Sequence, residues 1–290
     1  MVTSDQQLTP KQQSPIMRVI VPVLIVLVGV GIVLYPVIAT TVNNAYQQKI
    51  AREYDEQFRD SDSVESQAKI EEAREYNARV AGQPILDPWL ARISPDNEDY
   101  QEYLNQLSGA TAMSAVSIPA IDVKLPLYHG TDESTLQKGL GHLYGSALPV
   151  GGEGTRSVIT GHTGLTNATL FDDLDQLKVG DAVFINTFGE TLKYEVRSTE
   201  VVLPTDVGGL VPEDGKDLLT LITCTPYGVN THRLLVHAER VPYTPEDDDL
   251  IDDAGGVMQW WMWLLVALAA IILAALLWWV VREIRKVREP

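Results

Sequence analysis

The chain contains one cysteine, Cys224, and it sits where a thiol could react. It closes the apolar run LLTLITC (residues 218–224) and meets the loop residues Thr225, Pro226, Tyr227 and Gly228 at once. Packed away, a lone cysteine is a small hydrophobe; at the mouth of a strand, before a loop, it is placed for chemistry. A single thiol forms no internal disulfide and builds no Cys-rich zinc site, so the chemistry it suggests is nucleophilic. A nucleophilic thiol must be able to ionise, which calls for a base or a cation beside it. Arg233 lies nine residues on, past the turn signals Tyr227-Gly228 and Asn230-Thr231. A hairpin closing there sets Cys224 and Arg233 on adjacent antiparallel strands near one end, where a guanidinium could hold the oxyanion that forms when a thiolate attacks a carbonyl.

The base or acid must come from five histidines. His162 lies in Thr160-Gly161-His162-Thr163-Gly164, at the end of the strand pattern RSVIT, and flanking glycines let such a loop approach another segment closely. His142, in GLGHLYG, is a second glycine-flanked candidate. His129 precedes a glycine turn and reads as structural. His232 adjoins Arg233 and so faces the other way on a regular strand, and His237 reads as half-exposed on the same strand. Sequence pattern leaves His162 and His142 in competition.

The elements that must position these groups are mostly strands. From residue 113 to 243 short alternating runs (AVSIPAIDVKLPLY, RSVITG, DAVFINTF, TLKYEVRSTEVVL, LLTLITC, HRLLVHAERV) are punctuated by Pro and Gly, which predicts a closed or sandwich-like β body. Prolines in the first run suggest short or edge strands. Residues 142–177 read as loop, with a short helix around Leu170 and Leu174. Ahead of the β region, Tyr46, Ile50, Tyr54 and Phe58 form one helical stripe, and Ile70, Ala73, Asn77 and Val80 continue a second helix that Asp62 with Glu65 could cap. Residues 82–109 hold Pro84, Pro88 and Pro95 and read as an ordered loop, with helix only around Asn97 to Leu107.

Two apolar runs bracket this body. Residues 19–40 are uncharged and long enough to cross a bilayer, longer than a cleaved signal's apolar core. Residues 260–281 carry Trp260, Trp261 and Trp263 at one end and Trp278 and Trp279 at the other, as an interfacial belt requires. EDDDLIDD precedes this run and REIRKVREP follows it, which orients both termini to the cytoplasm. The net charge of −17 leaves no basic stripe for nucleic acid. No metal site or cofactor is expected, and Asp247 to Asp249 read as a solvated acidic run.

Taken together, TLITCTPYGVNTHRLLVHAER (220–240), TGHTGL around His162, IPAIDVKLPLYHG (118–130) and GHLYGSALPVGGEGTRSVITGH (141–162) resemble the sortase family. The thiol hydrolase and L,D-transpeptidase neighbourhoods are not seen around Cys224. TPYGVNTHRLLV, the C-terminal span and an N-terminal lid further resemble the class C, pilin-polymerising sortases. The one departure is Thr163, where many relatives carry a basic residue.

The resemblance implies an eight-stranded β-barrel with short helices, N-terminal helices and a lid, flanked by two transmembrane helices. It implies Cys224 as nucleophile, His162 as acid and base, and Arg233 as oxyanion partner. It further implies lid residues Asp87, paired with Arg233, and Trp89, covering Cys224, in Asp87-Pro88-Trp89. The organisation expected is a cytoplasmic N-terminus (1–18), a transmembrane helix (19–40), helices and lid (41–110), the catalytic barrel (111–245), an acidic linker (246–259), a second transmembrane helix (260–281) and a basic cytoplasmic tail (282–290). The implied partners are the membrane, surface proteins or pilins bearing an LPxTG-like signal, and a lysine or peptidoglycan amine as acceptor. A non-enzymatic surface scaffold with a structural cysteine is the reading furthest from this. If the lid expectation holds, substituting Asp87 and Trp89 together accelerates labelling of Cys224 by a small thiol reagent; an unchanged rate counts against it.

Overall fold

The computed structural model describes residues 15–59, 63–80, 96–206 and 208–288. The chain divides into two compact units, one spanning Thr40–Val257 and the other made of the flanking apolar stretches. Within Thr40–Val257 eight strands close into a barrel of order β1-β2-β3-β4-β7-β8-β6-β5. The strands are β1 (Ser114–Ile118), β2 (Val123–His129), β3 (Leu140–His142), β4 (Thr155–Thr160), β5 (Ala182–Thr187), β6 (Glu190–Val202), β7 (Asp217–Thr225) and β8 (His232–Val241). Neighbours pair antiparallel except β2 with β3 and β4 with β7.

Alternation sorts the side chains. Leu219 and Leu221 of β7, Leu234 and Val236 of β8 and Ile159 of β4 join the barrel core with Val116, Leu127, Ile185 and Val196. Their neighbours Val158, Ile222 and Leu235 form a second small cluster with Leu143 and Leu210 on the other face of the same strands. β3 was not expected: three residues around Gly141 are too few to show alternation. The prolines of the first run do not mark an edge, because the barrel is closed; Pro126 lies beyond the Leu127–His129 stretch that pairs with β3. The short helix expected near Leu170 is instead a 3-10 turn at Leu174–Gln176.

Helix α1 (Pro15–Phe58) runs unbroken from the first apolar run through the first expected stripe, with Pro22 and Pro36 inside it. The face it buries differs from the stripe read from sequence. Tyr54 and Phe58 are buried, but Tyr46 is exposed, and the buried positions include Asn44, Gln48 and Asp55. These polar residues face in because they find partners there: Asn44 bonds Thr169 and the Val257 carbonyl, Gln48 the Gly256 carbonyl, and Asp55 accepts from Asn186 of β5. Tyr54 donates to the Met113 carbonyl and accepts from the Phe188 amide, both at 2.9 Å. Helix α2 (Val64–Val80) buries Ile70, Ala73 and Asn77 as its pattern predicts, and Ser63 caps it by accepting from the Ser66 amide. Asp62 lies outside the described residues. Helix α3 (Glu98–Asn105) begins at Asn97, whose side chain accepts from the Tyr100 amide. Helix α4 (Glu133–Leu136) is capped by Asp132.

The acidic run is not solvated throughout. It forms α5 (Asp247–Asp253), and Asp247 is buried against Lys193 at 2.7 Å because that ammonium is the charge available to it on β6. The last helix, α6 (Trp260–Arg288), contains the second apolar run. α1 and α6 are both long and apolar enough to cross a membrane, and large side chains such as Ile25, Ile32, Ile271 and Leu277 stand exposed along them.

One buried ion pair joins the N-terminal helix to the barrel. Lys124 of β2 lies 2.9 Å from Asp55 of α1, with side chains 3% and 10% exposed. Lys124 also donates to the Ile251 carbonyl of α5, and Asp55 accepts from Asn186 of β5. Removing one partner of such a pair strands the other charge. Lys124→Met is expected to lower the unfolding free energy by ~3 kcal/mol, and the double variant with Asp55→Leu to recover most of it. Denaturant titration of the two variants checks both.

Candidate active site

Cys224 and Arg233 are direct cross-strand partners in the β7–β8 ladder, so their side chains leave the sheet on the same face. Arg233 Nη1 stands 3.5 Å from Cys224 Sγ and also donates to the His232 carbonyl at 3.3 Å. Both residues are buried. A fixed guanidinium at that distance favours the thiolate and is in reach of charge that develops on an attacked carbonyl.

His162 arrives through the parallel pairing of β4 with β7. Thr160 is registered with Ile222, so two further residues on each chain bring His162 and Cys224 to the same level at the strand ends. The two ends are tied together. The Gly161 amide donates to the Ile222 carbonyl at 3.1 Å, and Thr223 Oγ1 donates to the Gly161 carbonyl at 2.8 Å. Gly161 is obligatory here, since a Cβ would stand 2.8 Å from both Leu140 and the Phe171 ring. Beyond His162 the loop closes on itself: the Phe171 amide donates to the His162 carbonyl, and Asp172 Oδ1 accepts from the Gly164 amide at 2.7 Å and Thr163 Oγ1 at 3.1 Å. Thr163 is thus used locally. Burial pushes the Asp172 carboxyl up to about 6. His162 Nε2 lies 3.3 Å from Glu133 Oε2 at the start of α4.

The competing histidines are occupied elsewhere. His142 is fully buried; its Nε2 donates to the Ala147 carbonyl at 2.8 Å, which leaves Nδ1 to accept from the Tyr103 hydroxyl at 3.0 Å. Burial drives its pKa down to about 4. His129 bonds the Gln106 carbonyl at 2.6 Å. His232 bonds Thr231 on the face away from Cys224. His237 bridges Glu200 and Thr220.

The face that carries Cys224 has three tiers. Cys224 and Arg233 are at the strand ends. Below them lie Thr160, Ile222 and Leu235 with Val158, and Leu210 from the segment between β6 and β7 packs with Val158, Ile222 and Leu235. Lowest is Arg156, whose Nη1 donates to Thr220 Oγ1 at 2.9 Å and whose Nε donates to the Val211 carbonyl of that same segment. Glu213 completes the lowest tier, 3.1 Å from Arg156.

Glu133, Asp172 and Thr223 were not singled out from sequence. The spacing of Asp132-Glu133 ahead of Leu136 signals a capped helix, but nothing in it points to a histidine 29 positions on. The expected lid residues Asp87 and Trp89 lie outside the described residues. Among the described residues no group of three His, Cys, Asp or Glu side chains is arranged to hold a metal ion.

Comparison with known proteins follows this geometry. Residues 116–241 match the Sortase domain. The structure is similar to that of sortase C-1 from Actinomyces oris, with 52% identity, a TM-score of 0.59, and coverage of 61% of this chain and 99% of that one. Sortase A from Corynebacterium diphtheriae, also solved as a lid mutant, is 52% identical with a TM-score of 0.63, covering 71% of this chain and 98% of its own. Sortase C of Streptococcus pneumoniae, a structure described for its pilin substrate specificity, is 41% identical with a TM-score of 0.61, covering 68% and 98%. The chain belongs to the sortase family. It is a cysteine transpeptidase on the eight-stranded barrel of sortases, and the non-enzymatic scaffold reading is set aside. In this sortase two helices, α1 and α6, are long and apolar enough to cross a membrane.

Burial makes His142 a pH-dependent stability term with a defined sign. Its folded pKa, about 4, is below its ordinary value of 6.5, so its contribution is fully present above 6.5 and is lost as pH falls toward 4. The loss amounts to on the order of 3 kcal/mol. NMR titration of the imidazole should show His142 neutral at pH 6 with a midpoint near 4; a midpoint near 6.5 would contradict the buried assignment.

Proposed function

We propose that this sortase cleaves an LPxTG-like sorting signal between Thr and Gly and joins the threonyl group to a lysine amine of a pilin subunit. The observation that carries this reading is the Cys224–Arg233 pair, 3.5 Å apart at the barrel mouth to which the β4 register brings His162. The Cys224 thiolate attacks the threonine carbonyl carbon, and Arg233 holds the resulting oxyanion. Collapse breaks the C–N bond as protonated His162 gives its proton to the departing glycine amine. The acyl group is left as a thioester on Cys224. An incoming lysine amine then loses a proton to His162 and attacks the thioester, which forms an isopeptide bond and returns the thiolate.

The pilin acceptor is favoured by the similarity to sortase C-1 of A. oris and sortase C of S. pneumoniae. Asp87 and Trp89 act in this reading as a lid over the site, Asp87 on Arg233 and Trp89 on Cys224. The acidic flank before α6 and the basic residues at its end put both termini in the cytoplasm and the barrel outside. An anchored enzyme and an anchored substrate then share one bilayer, which raises their effective concentration. A peptidoglycan amine is the second acceptor to consider, because curated relatives such as sortase A of Bacillus anthracis carry a different class name.

Incubation with an LPxTG-type peptide should give a thioester adduct on Cys224 by mass spectrometry, and Cys224→Ala should abolish it. Arg233→Lys keeps the charge but not the planar fork, and is expected to lower turnover by roughly 10²-fold. Supplying a pilin and a wall-precursor amine in separate reactions decides the acceptor: product with the wall amine alone would replace the pilin assignment.

A further inference from the structure

The loop that follows His162 is fastened at its far end by α1. Thr40 Oγ1 lies 3.4 Å from the Thr166 carbonyl, and Asn43 Nδ2 donates to the Asn167 carbonyl at 2.8 Å. Asn44, 5% exposed, makes a closed pair with Thr169: its Oδ1 accepts from the Thr169 amide at 3.1 Å and its Nδ2 donates to Thr169 Oγ1 at 2.7 Å. Asn44 Nδ2 also donates to the Val257 carbonyl at 3.2 Å, three residues before α6 begins. The near end of the same loop is closed by the Phe171 amide on the His162 carbonyl. Only Leu170 separates Thr169 from Phe171, and Leu170 holds a left-handed backbone with φ of 43°. A shift at Thr169 therefore reaches the backbone of His162 through two residues of constrained chain. α1 itself continues without a break from the apolar run into Thr40, Asn43 and Asn44.

We infer that Asn44 is a positioning residue for the transfer reaction: it seats the loop behind His162 on the helix that leaves the membrane, and through Val257 on the chain that re-enters it. This rests on His162 acting as the acid and base proposed above. A polar pair buried at such a junction contributes fixed geometry, and loss of either partner leaves the other unsatisfied. The imidazole must meet both the sulfur and the leaving nitrogen, so a displacement of its loop on the ångström scale is felt in the chemical step. It also follows that chains cut off after Asn44 keep the barrel and the Cys224–Arg233 pair but work more slowly than the anchored enzyme.

The test uses the full chain in detergent or lipid nanodiscs with an LPxTG-type peptide and a primary amine. Asn44→Ala is expected to lower kcat about tenfold or more with KM little changed, and to speed hydrogen exchange at the Thr169 amide. Asn44→Asp retains acceptors for that amide and for the threonine hydroxyl but loses the donor to the Val257 carbonyl, and should restore only part of the rate. Gln48→Ala is the control: it removes an α1 hydrogen bond of similar burial, to the Gly256 carbonyl at 3.0 Å, without touching the loop. An unchanged kcat in Asn44→Ala, or an equal loss in Gln48→Ala, overturns the inference while leaving the catalytic reading intact. A wild-type chain that forms no thioester, or a His162→Ala chain that turns over normally, overturns that reading and this inference with it.

Discussion

Everything at the site depends on one ladder, the parallel pairing of β4 with β7. Most of the barrel is antiparallel, and the antiparallel neighbour β8 brings Arg233 to Cys224 through a hairpin. The parallel ladder instead sends two separate chain segments to the same end of the barrel, Thr160 opposite Ile222 with β7 running on to Thr225. The imidazole of His162 then comes from one connection and the sulfur of Cys224 from another. Gly161 and the Thr223 hydroxyl hold the two ends together where the ladder stops.

The pairing of Cys224 with Arg233 was legible in the sequence because its signals are local. Cys224 and Arg233 share a hairpin, and a strand that alternates with period two fixes which of its residues share a face. The longer strands were readable for the same reason. β3 was not, because three residues around a glycine carry no period. The apolar stripe on α1 misled for a different reason: Asn44, Gln48 and Asp55 are buried by partners far along the chain, and pattern reading counts such residues as solvent-facing. Asp247 was misjudged in the same way, its Lys193 lying 54 positions earlier. His142 and His162 could not be separated by glycine context, since both are glycine-flanked. What separates them is the company each keeps, a sealed set of partners for one and the barrel mouth for the other.

The supporting groups around the site are mainly charged or amide side chains that work through backbone. Asp172 gathers the Thr163 hydroxyl and the Gly164 amide, and Asp132 gathers the Ser134 and Thr135 amides at the start of α4, which carries Glu133 to His162. Each converts a flexible connection into a fixed one by satisfying amides that strands do not reach. The strongly negative chain thus spends part of its acidic excess on internal order, with the remainder on the surface.

The tiered face below Cys224 separates two tasks that many enzymes entangle. The segment between β6 and β7 is fastened to the lower and middle tiers, through Arg156 and Leu210, and does not share the hairpin that bears the sulfur and the guanidinium. Its composition could therefore change while the Cys224–Arg233 pair stays in place, because the strap and the hairpin are held by different contacts.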